Sequence, residues 1–177
     1  MSSLDGNVQD SIFAEPNGYN SQISTGLHAI SIFARSNSVT PIFTTGISHQ
    51  PELKHSFILH GDRGDFGLNF SVISEIVPTV PEGQSLVRVI HAATGASQLS
   101  VNTSAVLSVS NSAIAGFGGA SEYVVINPGQ NSIVINRVAD LALFDTVSLN
   151  AESGKAYSIF VAGEFGYFVT SRVLLEN

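Results

Sequence analysis

Five histidines, His28, His49, His55, His60 and His91, are the first residues to weigh for chemistry. None forms the spaced pair of a zinc site, and no carboxylate joins them in a metal-binding motif. His55 and His60 stand five residues apart in a strand-like run, which sends them to opposite faces. His91 sits in an apolar run and reads as a histidine hydrogen-bonded within a core. Arg63-Gly64-Asp65 falls in a hairpin over residues 61–67. An exposed tripeptide of this kind is a candidate adhesion loop, though Gly and Asp are also ordinary turn residues. Gly116-Phe117-Gly118-Gly119 lacks the Lys-Ser/Thr and the following helix of a phosphate loop, so it reads as a strand bend. Asp62, Asp65, Asp140, Asp145 and Glu164 lie in or near turns. A loop calcium site would use such oxygens, but the alternating Asp/Asn spacing is missing. Serine is abundant without a G-x-S-x-G elbow. No cluster names a reaction, and the expectation is a protein that is not an enzyme and uses no cofactor or metal.

The elements that would position these residues have a period of two. In 156–162, Tyr157, Ile159 and Val161 face one way, and in 131–136, Ile133 and Ile135 share a face. In the first half, Ile30 pairs with Ile32, and Phe57 with Leu59. These four residues and the five of the second half are the expected core. The runs are short, rich in β-branched and aromatic residues, and bounded by Gly, Pro and Asn. They predict strands near 11–14, 19–24, 28–35, 40–46, 54–60 and 67–77. Further strands are predicted near 86–92, 98–102, 113–117, 122–126, 131–136, 142–149, 155–162 and 167–175. Short strands with turns at this interval suggest antiparallel β-sandwiches.

Composition narrows the partners. The chain has 177 residues, with 7 basic and 14 acidic side chains and a net charge of −7. Scattered acidic residues and few clustered cations exclude a nucleic-acid surface. Cysteine is absent, which removes disulfides and thiolate metal sites. Charged residues make up only 12% of the chain, so Ser, Thr, Asn and Gly fill the polar positions, as suits the uncharged surfaces of extracellular β-rich proteins. No run is long and apolar enough for a membrane span. Residues 1–25 show no basic and apolar signal-peptide pattern.

The building block occurs twice. Gly26, Phe43 and Gly61 recur as Gly129, Phe144 and Gly163, at offsets of 103, 101 and 102 residues. A near-constant offset across three segments argues for tandem units. The expected organisation is an incomplete first β-sandwich over 1–78, a proline-bearing linker over 79–85 and a second sandwich over 86–177. The first copy has no counterpart of Leu86–Ala92, the opening strand. A sandwich without that strand exposes an unpaired edge, which another copy of the chain could fill. Residues 1–10 are the candidate donor, with Ser2, Ser3, Leu4 and Val8 as its exchange segment. Head-to-tail strand addition of this kind builds a homo-oligomer or a filament.

The second copy reads Val87-Arg-Val-Ile-His-Ala92, Phe117-Gly-Gly-Ala-Ser-Glu-Tyr123, Pro128-Gly129 and Ser153-Gly-Lys-Ala-Tyr157. This order resembles a domain family of unknown function found, often in tandem, in bacterial secreted and envelope proteins. The likeness covers residues 86 to about 174, and the first copy matches only over its later two-thirds, with His55 where Tyr157 stands. The resemblance implies an all-β fold of tandem immunoglobulin-like sandwiches and a setting outside the cell or on its surface. It implies no catalytic residues. The expected function is structural, through self-assembly or adhesion; the alternative is a carbohydrate- or peptide-binding module, weakened by the lack of Trp and the presence of only 4 Tyr.

Overall fold

Two-residue alternation produces strands along the chain, and among the described residues no segment is helical. The computed structural model describes residues 2–4, 7–9, 25–34, 37–50, 55–61, 67–103, 112–166 and 168–176. The predicted strands at 11–14 and 19–24 lie outside the described residues. The chain divides into two compact units, Met1–Lys54 and His55–Asn177. Residues 79–85, expected as the linker, lie within the second unit and lead from β6 to β7 of that unit.

The described residues of the first unit form one antiparallel sheet. Its strands are β1 (Ser2–Leu4), β2 (Asn7–Gln9), β3 (Gly26–Ala34) and β4 (Asn37–His49), in the order β2-β1-β3-β4. His28, Ile30 and Ile47 are buried, and Ile32 is half-buried. Pro41 falls where the β3–β4 register shifts, a position that tolerates its missing N–H. The short strands β1 and β2 occupy residues that the alternation pattern left unassigned.

Among the described residues, the second unit holds ten strands. They are β5 (His55–Gly61), β6 (Leu68–Ser74), β7 (Ser85–Thr94), β8 (Gln98–Asn102), β9 (Ser112–Gly116), β10 (Val124–Ile126), β11 (Gly129–Arg137), β12 (Leu143–Ala151), β13 (Ala156–Glu164) and β14 (Phe168–Leu175). One sheet runs β10-β7-β13-β14 and a second runs β12-β11-β8-β9. Among the described strands, only β7 and β13 run parallel, across nine register pairs from Leu86↔Ala156 to Thr94↔Glu164. The main core lies between these sheets. Val87, Val89, Ile159 and Val161 come from one, and Leu99, Val101, Ile133 and Ile135 from the other. Each is fully buried, and such burial stabilises by roughly 1.5–3 kcal/mol per side chain. Tyr157 also belongs to this core, and its hydroxyl accepts the Glu152 N–H at 2.9 Å, closing the turn before β13.

β7 is buried on both faces. Its residues of odd number face the main core. Ile90, from the other face, packs with Ile58 and Ile73 of the hairpin β5–β6. The hairpin thus covers the outer face of the β10-β7-β13-β14 sheet as a third layer. This reverses the expected face of β5. Ile58 and His60 are buried there, whereas Phe57 is 38% exposed and Leu59 half-buried. The reason is the second apolar face of β7, which recruits the side of the hairpin opposite to the one indicated by the repeat.

The order β4-β3-β1-β2 matches β12-β11-β8-β9 strand for strand, with every pairing antiparallel. The strands 26–34 and 129–137, equivalent by offset, lie in different sheets and different units. β5–β6 likewise corresponds by offset to β13–β14. β13 carries β7 on its other side, while β5–β6 stands as a two-stranded sheet.

Candidate functional site

The outer face of β7 gathers the polar side chains that the sequence did not group. Arg88 points away from the main core because its neighbours Val87 and Val89 point into it. Its Nε donates to Ser158 Oγ of β13 at 2.7 Å. Its Nη2 donates to Glu75 Oε2 at 3.1 Å and to Glu176 Oε1 at 3.3 Å. The three charged side chains are 4%, 4% and 5% exposed, so water does little to screen them. The guanidinium lies over the Tyr123 ring, 4.8 Å from its centroid. The Ser56 hydroxyl of β5 donates to Glu75 Oε1. One cation therefore faces two carboxylates. Burial, then the hydrogen bond to Glu176, push the Glu75 carboxyl above the usual range. Against the pull of its own burial, hydrogen bonds from Glu75 and Ser158, then the Arg88 charge, hold Glu176 below that range. Of the two carboxyls, Glu75 is the one that keeps its proton to higher pH, and Glu176 the one that ionises first.

A second cluster lies further along the hairpin. His91 is fully buried, with Nε2–H donating to the Ala96 carbonyl at 3.0 Å and Nδ1 accepting the Ala93 N–H at 3.4 Å. Those two bonds require the neutral ring. The edge of Phe117 meets both His91 and His60, at centroid distances of 5.5 and 4.7 Å. His60 Nε2 lies 2.8 Å from Ser71 Oγ across the hairpin. Burial lowers the pKa of both histidines. Gly118 has φ +76, and a Cβ there would come within 2.4 Å of His60 Nε2, so the glycine bend is what lets the hairpin close on sheet and turn.

Between β6 and the 118–123 segment runs an open groove of about 600 Å³. Ser71, Ser74, Gly119 and Ser121 line it, with Val72 and Ile76 exposed beside them and Arg88 and Tyr123 at one end. The 119–121 segment is bonded to β7 on one side: His91 N donates to Gly119 O at 2.9 Å and Ser121 N to Val89 O at 2.8 Å. The arrangement offers polar backbone and hydroxyls to an extended chain. Among the described residues, no group of three His, Cys, Asp or Glu side chains is placed to hold a metal. No described helix is long and apolar enough to cross a membrane.

Arg63, Gly64 and Asp65 of the expected adhesion loop, together with Asp62, lie outside the described residues. Ser2, Ser3 and Leu4 form β1 and Val8 lies in β2, so the expected exchange segment is paired within its own chain, Ser2 with Ile32 and Ser3 with Ser31. Asp140 pairs with Arg137, which with the Ala142 N–H lowers its pKa to about 2. Asp145 accepts from Ser171. Sequence reasoning missed Arg88, Glu75 and Glu176. Arg88 was visible as a lone cation inside an apolar run, but its carboxylates lie 13 residues before it and 88 after it. No family model matches the chain, and no curated protein matches it.

Proposed function

We propose that the protein is a non-enzymatic structural component of the cell surface or extracellular space that assembles with copies of itself by strand addition. The setting rests on the envelope-family resemblance of residues 86–174. The mode of assembly rests on one observation: β5–β6 is a two-stranded sheet whose counterpart, β13–β14, is completed by β7 over nine register pairs. In this reading both copies are immunoglobulin-like sandwiches, and the first lacks its opening strand. The face that would be core in a complete copy carries Phe57 and Val72, paired across the hairpin and 38% and 48% exposed. The donor is β1–β2 of another copy. β1 holds β3 through two register pairs, where its counterpart β8 holds β11 through four, so β1 is the more readily exchanged. Because donor and acceptor differ, the contact is head-to-tail and extends into a filament when the rotation does not close.

Light scattering and electron microscopy test this. The full chain at tens of micromolar is expected to form oligomers or fibres, and a chain lacking residues 1–10 to remain monomeric. A strictly monomeric full chain overturns the reading; equal assembly of the shortened chain overturns the donor.

The groove along β6 favours a second reading, a peptide-binding module. Its hydroxyls and backbone suit an extended peptide better than a sugar, because its one aromatic ring, Tyr123, is already covered by Arg88. Saturable binding of unstructured peptides by a chain that stays monomeric would select this reading over assembly.

A further inference from the structure

We infer that Glu75, Arg88 and Glu176 form a proton-charged clasp that holds the hairpin β5–β6 on the outer face of the β10-β7-β13-β14 sheet and opens as pH rises. The clasp joins three parts of the chain. Glu75 follows directly on β6, Arg88 lies in β7, and Glu176 follows β14, fixed by its own N–H donating to Ala156 O at 3.0 Å. The Ser56 hydroxyl brings β5 into the same contact. The charge count is the core of the argument. With both carboxylates ionised, a site about 4–5% exposed carries one uncompensated negative charge. A buried unpaired charge is strongly unfavourable, and the site avoids it by keeping a proton. The proton lets Glu75 donate to Glu176 while both accept from Arg88.

Among the described residues, the charged groups on the elements around Glu75 can be placed. Ser56 meets it from β5, Arg88 from β7 and Glu176 from the chain end, while Tyr123 lies under Arg88 and Ser158 of β13 accepts from it. The other described ionisable groups on or beside these elements are His55, Glu82, Glu122, Glu152, Lys155, Tyr157, Glu164 and Arg172, with His60 further along the hairpin and His91 further along β7. A group whose pKa is raised by docking gives its full stabilisation below its ordinary value and loses it as pH rises through the raised one. Glu75 is such a group, so docking weakens upward from about pH 4.5. Opening would bare Ile58, Ile73 and Ile90, a small apolar surface that the closed hairpin covers.

The test is amide hydrogen exchange of β5 and β6 in the full chain from pH 4.5 to 8, as protection factors corrected for intrinsic rates, in the wild type and in Glu75→Gln. The ratio of the two opening constants isolates Glu75, because the histidines are common to both proteins. That ratio is expected to rise with pH, by up to about tenfold per unit, and then to level off. Glu176→Gln is expected to shift the rise to lower pH, since the second charge that keeps Glu75 protonated is gone. Amides of β8 and β11 serve as the control, unchanged in all three proteins. A ratio independent of pH overturns the inference. So does failure of Glu75→Gln to fold, because the amide reproduces the shape and donor of the protonated acid.

Discussion

At the scale of single residues, the contrast between Phe57 and Ile58 decides which face of β5 is structural. Ile58 is 6% exposed and packs with Ile73 and Ile90, while Phe57 is 38% exposed and stacks on Phe70 at 5.7 Å. Truncating Ile58 to Ala is expected to cost about 2–5 kcal/mol in urea titration. Phe57→Ala is expected to cost less than about 1 kcal/mol, the loss of one partly exposed aromatic contact. Equal losses would return the core to the Phe57 face. The second half of the chain was far more legible at this scale. Ile133, Ile135, Tyr157, Ile159 and Val161 are all buried as alternation predicts, because all five face the main core between the two sheets. In β5 the same rule misplaces Phe57. Alternation shows that a strand has two faces, but not which of them finds a partner. Arg88 illustrates the complementary limit: a cation in an apolar run signals a second buried surface, and only the fold supplies its two carboxylates.

At the scale of elements, the hairpin β5–β6 is held at two points that titrate in opposite senses. At one of them His60 has a pKa lowered by burial, so its contribution is complete above the ordinary histidine value, about 6.5, and is lost as pH falls through the lowered value. The Glu75 clasp is lost in the other direction. Docking is therefore opposed from both sides of the acidic range. NMR titration of the His60 and His91 imidazoles is expected to give midpoints below about 6.5, with β5 amide protection falling over the His60 interval. A midpoint at or above that value for His91 would contradict the neutral ring bonded to Ala96 O and Ala93 N. The strands themselves were readable: the eight predicted from 86 to 175 each correspond to one of β7–β14, because Gly, Pro and Asn mark their ends. The parallel pairing of β7 with β13 was not readable, since 61 residues separate Thr94 from Ala156 and the alternation pattern holds no pairing direction.

At the scale of the molecule, the repeat and the contacts divide the chain at different places, and the difference has a measurable consequence. The offset repeat places a boundary near 79–85, where two prolines interrupt the alternation. The contacts place it after Lys54, because the hairpin packs on β7. Both hold at once: the hairpin belongs to the first copy by its offset in the repeat and to the second unit by its packing. All residues of the main core lie in the second unit. A fragment of residues 55–177 is therefore expected to fold on its own, with one cooperative urea transition. A fragment beginning at Ser85 keeps the two-sheet core but loses Ile58, Ile73 and Glu75. Ile90, 2% exposed in the whole chain, then meets water, and Arg88 keeps only one of its two carboxylates. The shorter fragment is expected to be less stable by at least roughly 1.5–3 kcal/mol, the value of one large buried side chain. It is also expected to associate through the bared face of β7. Equal stability of the two fragments would show that the hairpin contributes nothing to the unit it covers and that the division suggested by the repeat is the energetic one.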